Sequence, residues 1–396
     1  MLFRQFVDDD LGCASYLIGN EETGEAAVVD PAYAIEPYLN EAERREVRIT
    51  CAVETHTHAD HLSGHGRLAL EHGVRVCVHP LGEPAFDCDE LEDGSEIELG
   101  AVCLRVLHTP GHRPEHCCVA VIDRSRAEEP WLVLTGDSLL VGDAARPDLA
   151  VAARDGARDL FHSLRRLLEL ADGVELYPGH VAGSLCGAAM SSKASSTIGF
   201  ERRFNKALAF HEESDFITEA AALGAPRPPN MERIVELNRG PFVGSSPALR
   251  PIAEPDGATI LDVRPADAFA EGHVRGAINV PLSGGSFATK TAFVLSPDER
   301  IVLHCCSPQE VKMAARGLRA VGFLDLEGYL QRPQATERVQ PLDVDELHDL
   351  LSRNAIEVVD VREKSERDHG YIPGSRNIPY RLIRACSGDF DGGRPV

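Results

Sequence analysis

Short apolar runs alternate with polar turn segments through the first 180 residues. A run of four to seven apolar or β-branched residues bounded by Gly, Pro, Asn or Asp predicts a strand. In the region 157–170, the apolar positions 160, 161, 164, 167 and 168 instead recur with the period of an amphipathic helix. Further helices are predicted at 35–46 and 61–73. The predicted strands lie at 15–18, 26–30, 49–55, 74–80, 97–110 (two strands joined at Leu99-Gly100), 117–123, 131–137 and 174–180.

Groups of strands with helices between them, not strictly in βαβ order, favour two sheets with helices packed outside. The pattern therefore predicts a four-layer α/β sandwich. From about 185 to 240 the chain becomes Ser/Ala-rich, then helical, then Pro-rich at 225–230. This stretch is interpreted as the tail of the first domain followed by a linker.

The second half of the chain contains an internal repeat. When residue n is compared with residue n + 98, seven identities fall within about twenty positions without a gap, where chance gives about one. The predicted domains are 1–240, 246–338 and 341–396. In the first copy the strand IVLHC ends at Cys305, but the same offset in the second copy falls beyond Val396, so that copy is expected to be truncated. The identical residues are Asp262, Val263, Arg264, Gly272, Gly276, Asn279 and Pro281.

The composition limits the classes of binding partner and the cellular compartment that we expect for this protein. The chain has 396 residues, with 40 Lys and Arg against 63 Asp and Glu, which gives a net charge of −23. Such a surface repels phosphate backbones and anionic membranes, so neither nucleic acid nor a membrane is an expected partner. Eleven cysteines without a C-x-x-C pair, no 18-residue apolar run and an acidic N-terminus without a signal-peptide core together predict a cytoplasmic protein. The sequence does not determine the oligomeric state, and a homo-oligomer is possible.

Histidine is concentrated at one place in the sequence. Nine of the sixteen histidines fall within residues 56–116, and the densest run is Thr55-His56-Thr57-His58-Ala59-Asp60-His61 after a predicted strand. Imidazoles and carboxylates at strand ends are typical transition-metal ligands, although a single such histidine is more often structural. Three further candidates each follow a strand and a glycine turn: His112 (Pro-Gly-His), Asp137 (Thr-Gly-Asp) and His180 (Tyr-Pro-Gly-His).

These motifs together resemble the metallo-β-lactamase superfamily over about residues 1–240, which implies an αββα sandwich. The short sequence motifs around these residues, including TGDSLL (135–140) and RPDL (146–149), are most similar to those of the persulfide dioxygenase branch. That resemblance implies one Fe(II) held by His56, His112 and Asp137, and oxidation of a thiol persulfide by O₂ to sulfite and thiol. It places Arg146 at the thiol carrier, which is glutathione or another low-molecular-weight thiol; a surface salt bridge is the alternative for Arg146.

The remaining motif residues have two interpretations. By resemblance, His58, Asp60, His61 and His180 either orient the ligands and move protons or hold a second metal. In the second case the site would hold two Zn(II), and the protein would be a thioester hydrolase of the glyoxalase II type. Sequence alone leaves both interpretations open because they use the same residues.

The duplicated half resembles the rhodanese-like sulfurtransferase domain through LDVR (261–264), GHVRGAINVP (272–281) and IVLHC (301–305). In active members, the cysteine at the end of that strand carries a persulfide, which makes Cys305 a catalytic candidate. The following loop departs from the usual Gly- and Arg-bearing sequence. Pro308 removes a backbone donor and Glu310 adds negative charge, so a docking or structural domain with an inert Cys305 is the alternative.

Overall fold

The computed structural model describes residues 1–181, 191, 193–222, 227–331, 333–386, 388 and 395–396. Residues 1–227 and 231–247 make up most of one compact unit, and residues 248–318 and 323–396 make up most of a second. In the described part of the chain, no helix combines the length and the apolar character needed to cross a membrane.

The first sheet of the N-terminal unit has six strands in sequential order. An antiparallel meander, β1 to β3, continues into three parallel strands, β4 to β6. Helices α1 and α2 are the crossovers that the parallel strands require. The elements are β1 (Leu2–Val7), β2 (Ala14–Asn20), β3 (Glu25–Val29), α1 (Glu36–Arg44), β4 (Arg48–Val53), α2 (His65–His72), β5 (Arg75–Val78) and β6 (Asp89–Glu90).

The second sheet also has six strands, in the order β14-β13-β10-β9-β8-β7, and a separate hairpin is formed by β11 and β12. Its elements are β7 (Glu96–Leu99), β8 (Val102–His108), β9 (Cys117–Asp123), β10 (Leu132–Gly136), β11 (Leu139–Leu140), β12 (Asp143–Ala144), α3 (Ala153–Leu167), β13 (Glu175–Pro178), β14 (Ser196–Thr197), α4 (Ile198–Phe204), α5 (Glu213–Ala220) and α6 (Met231–Arg239).

Three apolar clusters hold these layers together and confirm the αββα sandwich. On β2, Tyr16 and Ile18 pack between the two sheets, whereas Leu17 points to the layer of α1 and α2, as the two-residue period of a strand requires. On the far side, Leu160, Leu164 and Leu167 of α3 pack on the second sheet. Because all seven residues of β2 are buried, the strand is covered on both faces.

The second unit contains a five-stranded, all-parallel sheet in the order β15-β19-β18-β16-β17, as expected for a rhodanese-like α/β domain. Buried Ile260, Val302 and Leu330 form one of its apolar clusters. The elements are β15 (Pro251–Ile252), β16 (Thr259–Asp262), α7 (Ala266–Glu271), β17 (Ile278–Asn279), α8 (Phe287–Val294), β18 (Ile301–His304), α9 (Pro308–Ala320) and β19 (Leu326–Leu330).

The predicted duplication is visible as two matching local structures. In each copy a short parallel pair forms at the repeated positions, β16 with β17 and β20 with β21. In each copy, the arginine of the Asp-Val-Arg motif donates to the aspartate of that motif and to the backbone carbonyl of the glycine eight residues later. The bond to the glycine carbonyl is 2.9 Å for Arg264 and 2.8 Å for Arg362. The second copy contains α10 (Val344–Ser352), β20 (Val359–Asp360), α11 (Lys364–Arg367) and β21 (Arg376–Asn377).

The second copy packs on the first within this unit. The ring of Tyr380 meets Phe293 edge to face, with centroids 6.0 Å apart, and Arg384 donates to the carbonyl of Val294 at 2.9 Å. These contacts come from a 3₁₀ turn at Tyr380–Leu382 and the residues after it. The apolar surface of the short second copy is therefore partly covered by α8.

Several element boundaries differ from the sequence prediction. The helix predicted from residue 61 begins at His65, because residues 61–64 form the metal-motif loop instead. The helix predicted from 157 begins four residues earlier, at Ala153, and β1, β6, β11, β12 and β14 were not predicted. Of the predicted tail and linker at 185–240, residues 185–190, 192 and 223–226 lie outside the described residues, whereas α4, α5 and α6 are regular helices.

Candidate metal centre

His56 lies in the loop after β4 and is oriented by a chain of hydrogen bonds. The backbone N–H and the hydroxyl of Thr55 donate to the two carboxylate oxygens of Asp30, at 2.7 and 2.9 Å. Since its hydroxyl hydrogen is used in this way, Thr55 Oγ1 accepts from His56 Nδ1 at 2.9 Å. The Nε2 lone pair of His56 is therefore left free for a metal.

His112 is fixed by a glycine and a carbonyl. Gly111 has φ +140, and a Cβ on it would lie 2.4 Å from the Cα of Leu160 in α3, so only glycine lets this loop approach the helix. His112 Nδ1 donates to the backbone carbonyl of Arg146 at 3.1 Å. As with His56, this bond selects the tautomer in which Nε2 carries a lone pair.

Asp137 follows β10 and is held through its backbone. Its N–H donates to Nε2 of the buried His116 at 3.0 Å, and His116 Nδ1 donates to Thr109 Oγ1 at 3.0 Å. Gly136 has φ +46, and a Cβ there would lie 2.6 Å from His116 Nε2. One carboxylate oxygen of Asp137, Oδ1, accepts from His180 Nδ1 at 2.7 Å.

The other carboxylate oxygen of Asp137 has no hydrogen-bond partner although it is buried. It lies 3.5 Å from His112 Nε2 and 4.0 Å from His56 Nε2. Three buried donors therefore converge on one point, and a buried oxygen without a partner is costly unless a cation satisfies it. Two imidazoles and one carboxylate are a ligand set that fits a transition metal.

The charge states in this cluster suit metal binding. Burial lowers the pKa of both His56 and His112, and the neighbouring imidazoles add to the effect at His56, so both rings are neutral. Burial opposes ionisation of Asp137, but the adjacent His180 and its hydrogen bond hold the pKa of that carboxyl below its usual value. Neutral imidazoles and an ionised carboxylate are the forms that bind metals.

The ring of His58 contacts that of His56, with centroids 4.2 Å apart, but its Nε2 faces a different pair of carboxylates. Its Nε2 is 3.2 Å from Glu54 Oε2 and 3.3 Å from Asp30 Oδ1, and all three side chains are buried. Burial and the neighbouring His61 lower the pKa of His58, but the two carboxylates outweigh them and raise it to about 9. His58 thus lies between two carboxylates, and these three buried side chains form a further group whose ligand atoms are close enough together to hold a metal ion. The role of His58 in orienting the ligands or in a second metal site stays a prediction.

Asp60, His61 and His180 form a second cluster, and Cys13 lies among them. His180 Nε2 is 2.7 Å from Asp60 Oδ2, and His61 Nδ1 is 3.2 Å from Asp60 Oδ1. Cys13 Sγ is 3.3 Å from both imidazole nitrogens. The sequence motifs predict the first three of these residues together but not Cys13.

The sequence motifs also do not identify several other residues of the site. Glu115 accepts from Arg113 Nε at 2.6 Å and from the backbone N–H of Thr57 at 3.3 Å, so it ties the loop after His56 to the loop after His112. Membership of the histidine-rich segment is the only sequence signal that points to His116. Asp30, Glu115 and Cys13 carry no such signal, because their roles depend on contacts across the fold.

Arg146 takes part through its backbone and its side chain. Its carbonyl accepts from His112, and its guanidinium makes a bidentate pair with Asp148 at 2.7 and 2.8 Å. The side chain is 7% exposed. Arg146 therefore forms a salt bridge, although its side chain is buried and not on the surface as the alternative assumed, and contact with a thiol carrier stays a prediction.

Cys305 lies at the end of β18, as predicted, on an open pocket of about 300 Å³ that Arg264, His273 and Cys306 also line. Burial raises the pKa of the Cys305 thiol to about 12, and the nearby Glu310 and Asp262 add to the effect. Glu310 Oε2 accepts the backbone N–H of Cys306 at 2.6 Å. An internal carboxylate thus occupies a donor that could otherwise stabilise a sulfur anion.

Two family profiles match the chain. The Metallo-beta-lactamase superfamily matches residues 8–180, and the Rhodanese-like domain matches 248–331 and again 343–391. The two rhodanese-like matches agree with the internal repeat. The domain limits at 240, 246, 338 and 341 stay predictions.

Individual relatives support the metallo-beta-lactamase assignment. A solved metallo-beta-lactamase from Staphylococcus aureus is 30% identical, covers 83% of this chain and 98% of its own, and has a TM-score of 0.76. The structure of ETHE1 from Myxococcus xanthus is 29% identical over 60% of this chain and 98% of its own, with a TM-score of 0.53. The bovine mitochondrial persulfide dioxygenase ETHE1 is 29% identical over 60% of this chain and 87% of its own.

Proposed function

Because the chain belongs to the metallo-β-lactamase superfamily, carries rhodanese-like domains and is homologous to persulfide dioxygenases, we propose that it oxidises a low-molecular-weight thiol persulfide with O₂. The observation that carries the proposal is the convergence of His56, His112 and Asp137 around a buried carboxylate oxygen without a hydrogen-bond partner. The proposed metal is one Fe(II) per chain.

The overall reaction balances as R–S–SH + O₂ + H₂O → R–SH + SO₃²⁻ + 2 H⁺. The outer sulfur loses four electrons, the two atoms of O₂ gain them, and the S–S bond breaks to release the thiol. Iron held by His56, His112 and Asp137 would supply open coordination positions for the persulfide sulfur and for O₂. Glutathione or another small thiol is the proposed carrier, with Arg146 as its proposed contact.

The protein's own residues prepare the site for this reaction. Thr55 and the Arg146 carbonyl hold the two imidazoles in the tautomer that presents Nε2, so no rearrangement is needed before a metal binds. His180 engages one oxygen of Asp137 and leaves the other for the metal. Because these residues are buried, the low local dielectric strengthens each of these interactions.

Two substitutions test the ligand assignment. Asp137→Ala removes the only anionic ligand and is expected to abolish both bound iron and persulfide-dependent O₂ uptake, as measured by elemental analysis and an oxygen electrode. His180→Ala is expected to keep its iron, because His180 contacts Asp137 and not the proposed metal position. The matched control is Asp159→Ala on the exposed face of α3, which should preserve both properties.

The same measurements separate the dioxygenase from the dizinc hydrolase. Two zinc ions per chain, hydrolysis of S-lactoylglutathione and no O₂ uptake with any persulfide would establish the hydrolase instead. Iron retained by Asp137→Ala would refute the ligand set even if the activity were a dioxygenase.

A further inference from the structure

The buried side chain of Asn238 binds one loop of the candidate metal centre. Asn238 lies near the end of α6 and is 5% exposed. Its Nδ2 donates to the backbone carbonyls of His58 and His61, at 2.9 Å each, and its Oδ1 accepts from the backbone N–H of Ser63 at 2.8 Å. One side chain thus contacts three backbone groups of residues 58–63, which we call the 58–63 loop.

The chemistry of these three partners explains why an amide stands at position 238. Two of the partners are carbonyl oxygens, which only accept hydrogen bonds, and the third is an N–H, which only donates. The partners therefore determine which end of the amide faces which group. An ionised aspartate has the same shape but no donor, so it could satisfy only Ser63 and would place its negative charge against two carbonyl oxygens.

The two carbonyls lie on either side of Asp60 in the chain. Asn238 therefore fixes the backbone before and after the residue whose Oδ2 is 2.7 Å from His180 Nε2. His180 in turn donates from Nδ1 to Asp137 Oδ1 at 2.7 Å, and the other oxygen of Asp137 is the buried one that faces the proposed metal position. A continuous series of contacts thus leads from α6 to that position.

We propose that Asn238 is a positioning residue for the metal centre: its amide holds the 58–63 loop so that Asp60 and His180 keep the carboxylate of Asp137 oriented towards the ion. The inference rests on the metal position of the proposed function. It adds a residue outside 8–180, the segment that matches the metallo-β-lactamase superfamily. The sequence pattern predicts only a tail and linker around position 238, because the three contacts join residues 175 or more positions apart.

The test is a double-mutant cycle on the full chain with Fe(II) as the probe. The dissociation constant of Fe(II) is measured anaerobically, by competition with a chromogenic ferrous chelator, for the unsubstituted protein, Asn238→Ala, His180→Ala and the double variant. Asn238→Ala is expected to weaken Fe(II) binding by about tenfold, the lower end of the effect of residues that orient metal ligands. His180→Ala should have a similar or larger effect and still bind iron at stoichiometric concentrations. In the double variant, Asn238→Ala should cause no further loss, because its effect passes through His180.

Two further variants separate positioning from packing. Asn238→Asp keeps the shape of the side chain but not its donors, so it should weaken Fe(II) binding at least as much as Asn238→Ala. The matched control is Asn20→Ala, which removes another buried asparagine whose Oδ1 accepts a backbone N–H, that of Glu22 at 2.9 Å. Asn20 ends β2, which begins next to Gly179 and extends about 20 Å from there, so this control should leave the Fe(II) dissociation constant unchanged.

Hydrogen exchange gives a measurement that requires no variant. Because coupling between two sites is reciprocal, a loop whose position favours metal binding must itself be stabilised by the metal. Saturating Fe(II) should therefore slow the exchange of the Ser63 N–H in the unsubstituted chain by up to about tenfold, the factor expected for the affinity. The exchange of the Glu22 N–H in the remote turn should stay the same.

The proposal is overturned if Asn238→Ala leaves the Fe(II) dissociation constant unchanged, if its effect adds fully to that of His180→Ala, or if Asn238→Asp binds Fe(II) as tightly as the unsubstituted chain. Unchanged exchange at Ser63 on Fe(II) binding would overturn it equally, and a chain that binds no Fe(II) would overturn the proposed metal together with this inference. None of these readouts uses persulfide or O₂, so failure of this proposal and failure of the dioxygenase reaction are distinguishable.

Discussion

Asp262 and Asp360 occupy equivalent positions in the two repeats but differ in their surroundings. Asp262 is fully buried and accepts from His304 at 2.9 Å as well as from Arg264. Asp360 pairs with Arg362 and Arg367 in a more open setting, where Arg362 is 45% exposed. The repeat thus provides the same carboxylate once fully buried and once 10% exposed beside a partly exposed arginine.

This difference predicts a pH-dependent stability. Burial raises the pKa of Asp262, but the bonds from His304 and Arg264 outweigh it and lower the pKa from 3.8 to about 2. A lowered pKa means that the stabilisation, about 2 kcal/mol, is present above pH 3.8 and is lost as the pH falls towards 2. Asp262→Asn should therefore speed hydrogen exchange in β16 and β18 at neutral pH.

Asp360→Asn is the comparison variant. The hydrogen bond from Arg362 also lowers the pKa of Asp360, but solvent screens this partly exposed arginine, so the substitution should affect exchange in its own strand less than Asp262→Asn does. Near pH 2, the chain with Asp262 and its Asn variant should exchange at similar rates. An Asn effect of equal size at pH 2 and pH 7 would contradict the assignment of the stabilisation to an ionised Asp262.

At the scale of elements, the turn between β18 and α9 determines what Cys305 can do. The helix begins at Pro308, and the backbone N–H of Glu310 donates to Ser307 Oγ at 3.3 Å. The carboxylate of Glu310 reaches back to the N–H of Cys306. The same loop that could hold a sulfur anion therefore already holds a fixed negative charge.

Glu310→Gln should make the Cys305 thiol more reactive, because removing a nearby negative charge lowers the pKa of a thiol by about one unit. Alkylation of Cys305 by iodoacetamide at pH 8, followed by peptide mass spectrometry, should accelerate by about tenfold. Glu254→Gln, an exposed change in the same unit, is the control and should leave the rate unaltered. An unchanged rate in Glu310→Gln would mean that burial and Asp262, and not Glu310, suppress the thiol.

At the scale of the whole molecule, two units carry two separate candidate chemistries. The metal cluster belongs entirely to the N-terminal unit, and Cys305 belongs to the C-terminal unit. The N-terminal unit is similar to persulfide dioxygenases and the C-terminal unit matches the rhodanese-like domain, and this combination supports the proposed role in sulfane-sulfur metabolism. The net charge of −23 favours small molecules over nucleic acid as the substrates of either unit.

Because the metal cluster and Cys305 lie in different units, we expect a substitution in one unit to leave the activity of the other unit unchanged. Cys305→Ser should leave persulfide-dependent O₂ uptake unchanged, and thiosulfate–cyanide sulfur transfer should already be weak or absent in the unsubstituted protein because the thiol is protonated. Both rates are measured on the full chain. Robust transfer that disappears in Cys305→Ser would instead make Cys305 a working nucleophile.

The sequence by itself determined the features that depend on local pattern. Short apolar runs between turn residues predict strands such as β2, and the spacing 160, 161, 164, 167 predicts α3, because each element presents its apolar residues to a neighbouring layer. The repeat with a 98-residue offset and the Gly-His and Gly-Asp turns can also be identified from the sequence alone. These signals were sufficient for the αββα sandwich, the duplicated second half and the candidate ligands His56, His112 and Asp137.

Only the tertiary structure decided how those candidates divide into sites. The spacing of the histidines in residues 55–61 cannot show that His58 faces Asp30 and Glu54, because Asp30 follows a different strand, β3. Nor can it show that Cys13 lies beside His180, because 167 residues separate them and a backbone bridge joins them. Sequence specifies which donors are available, whereas the packing of distant loops determines which donors can reach the same ion.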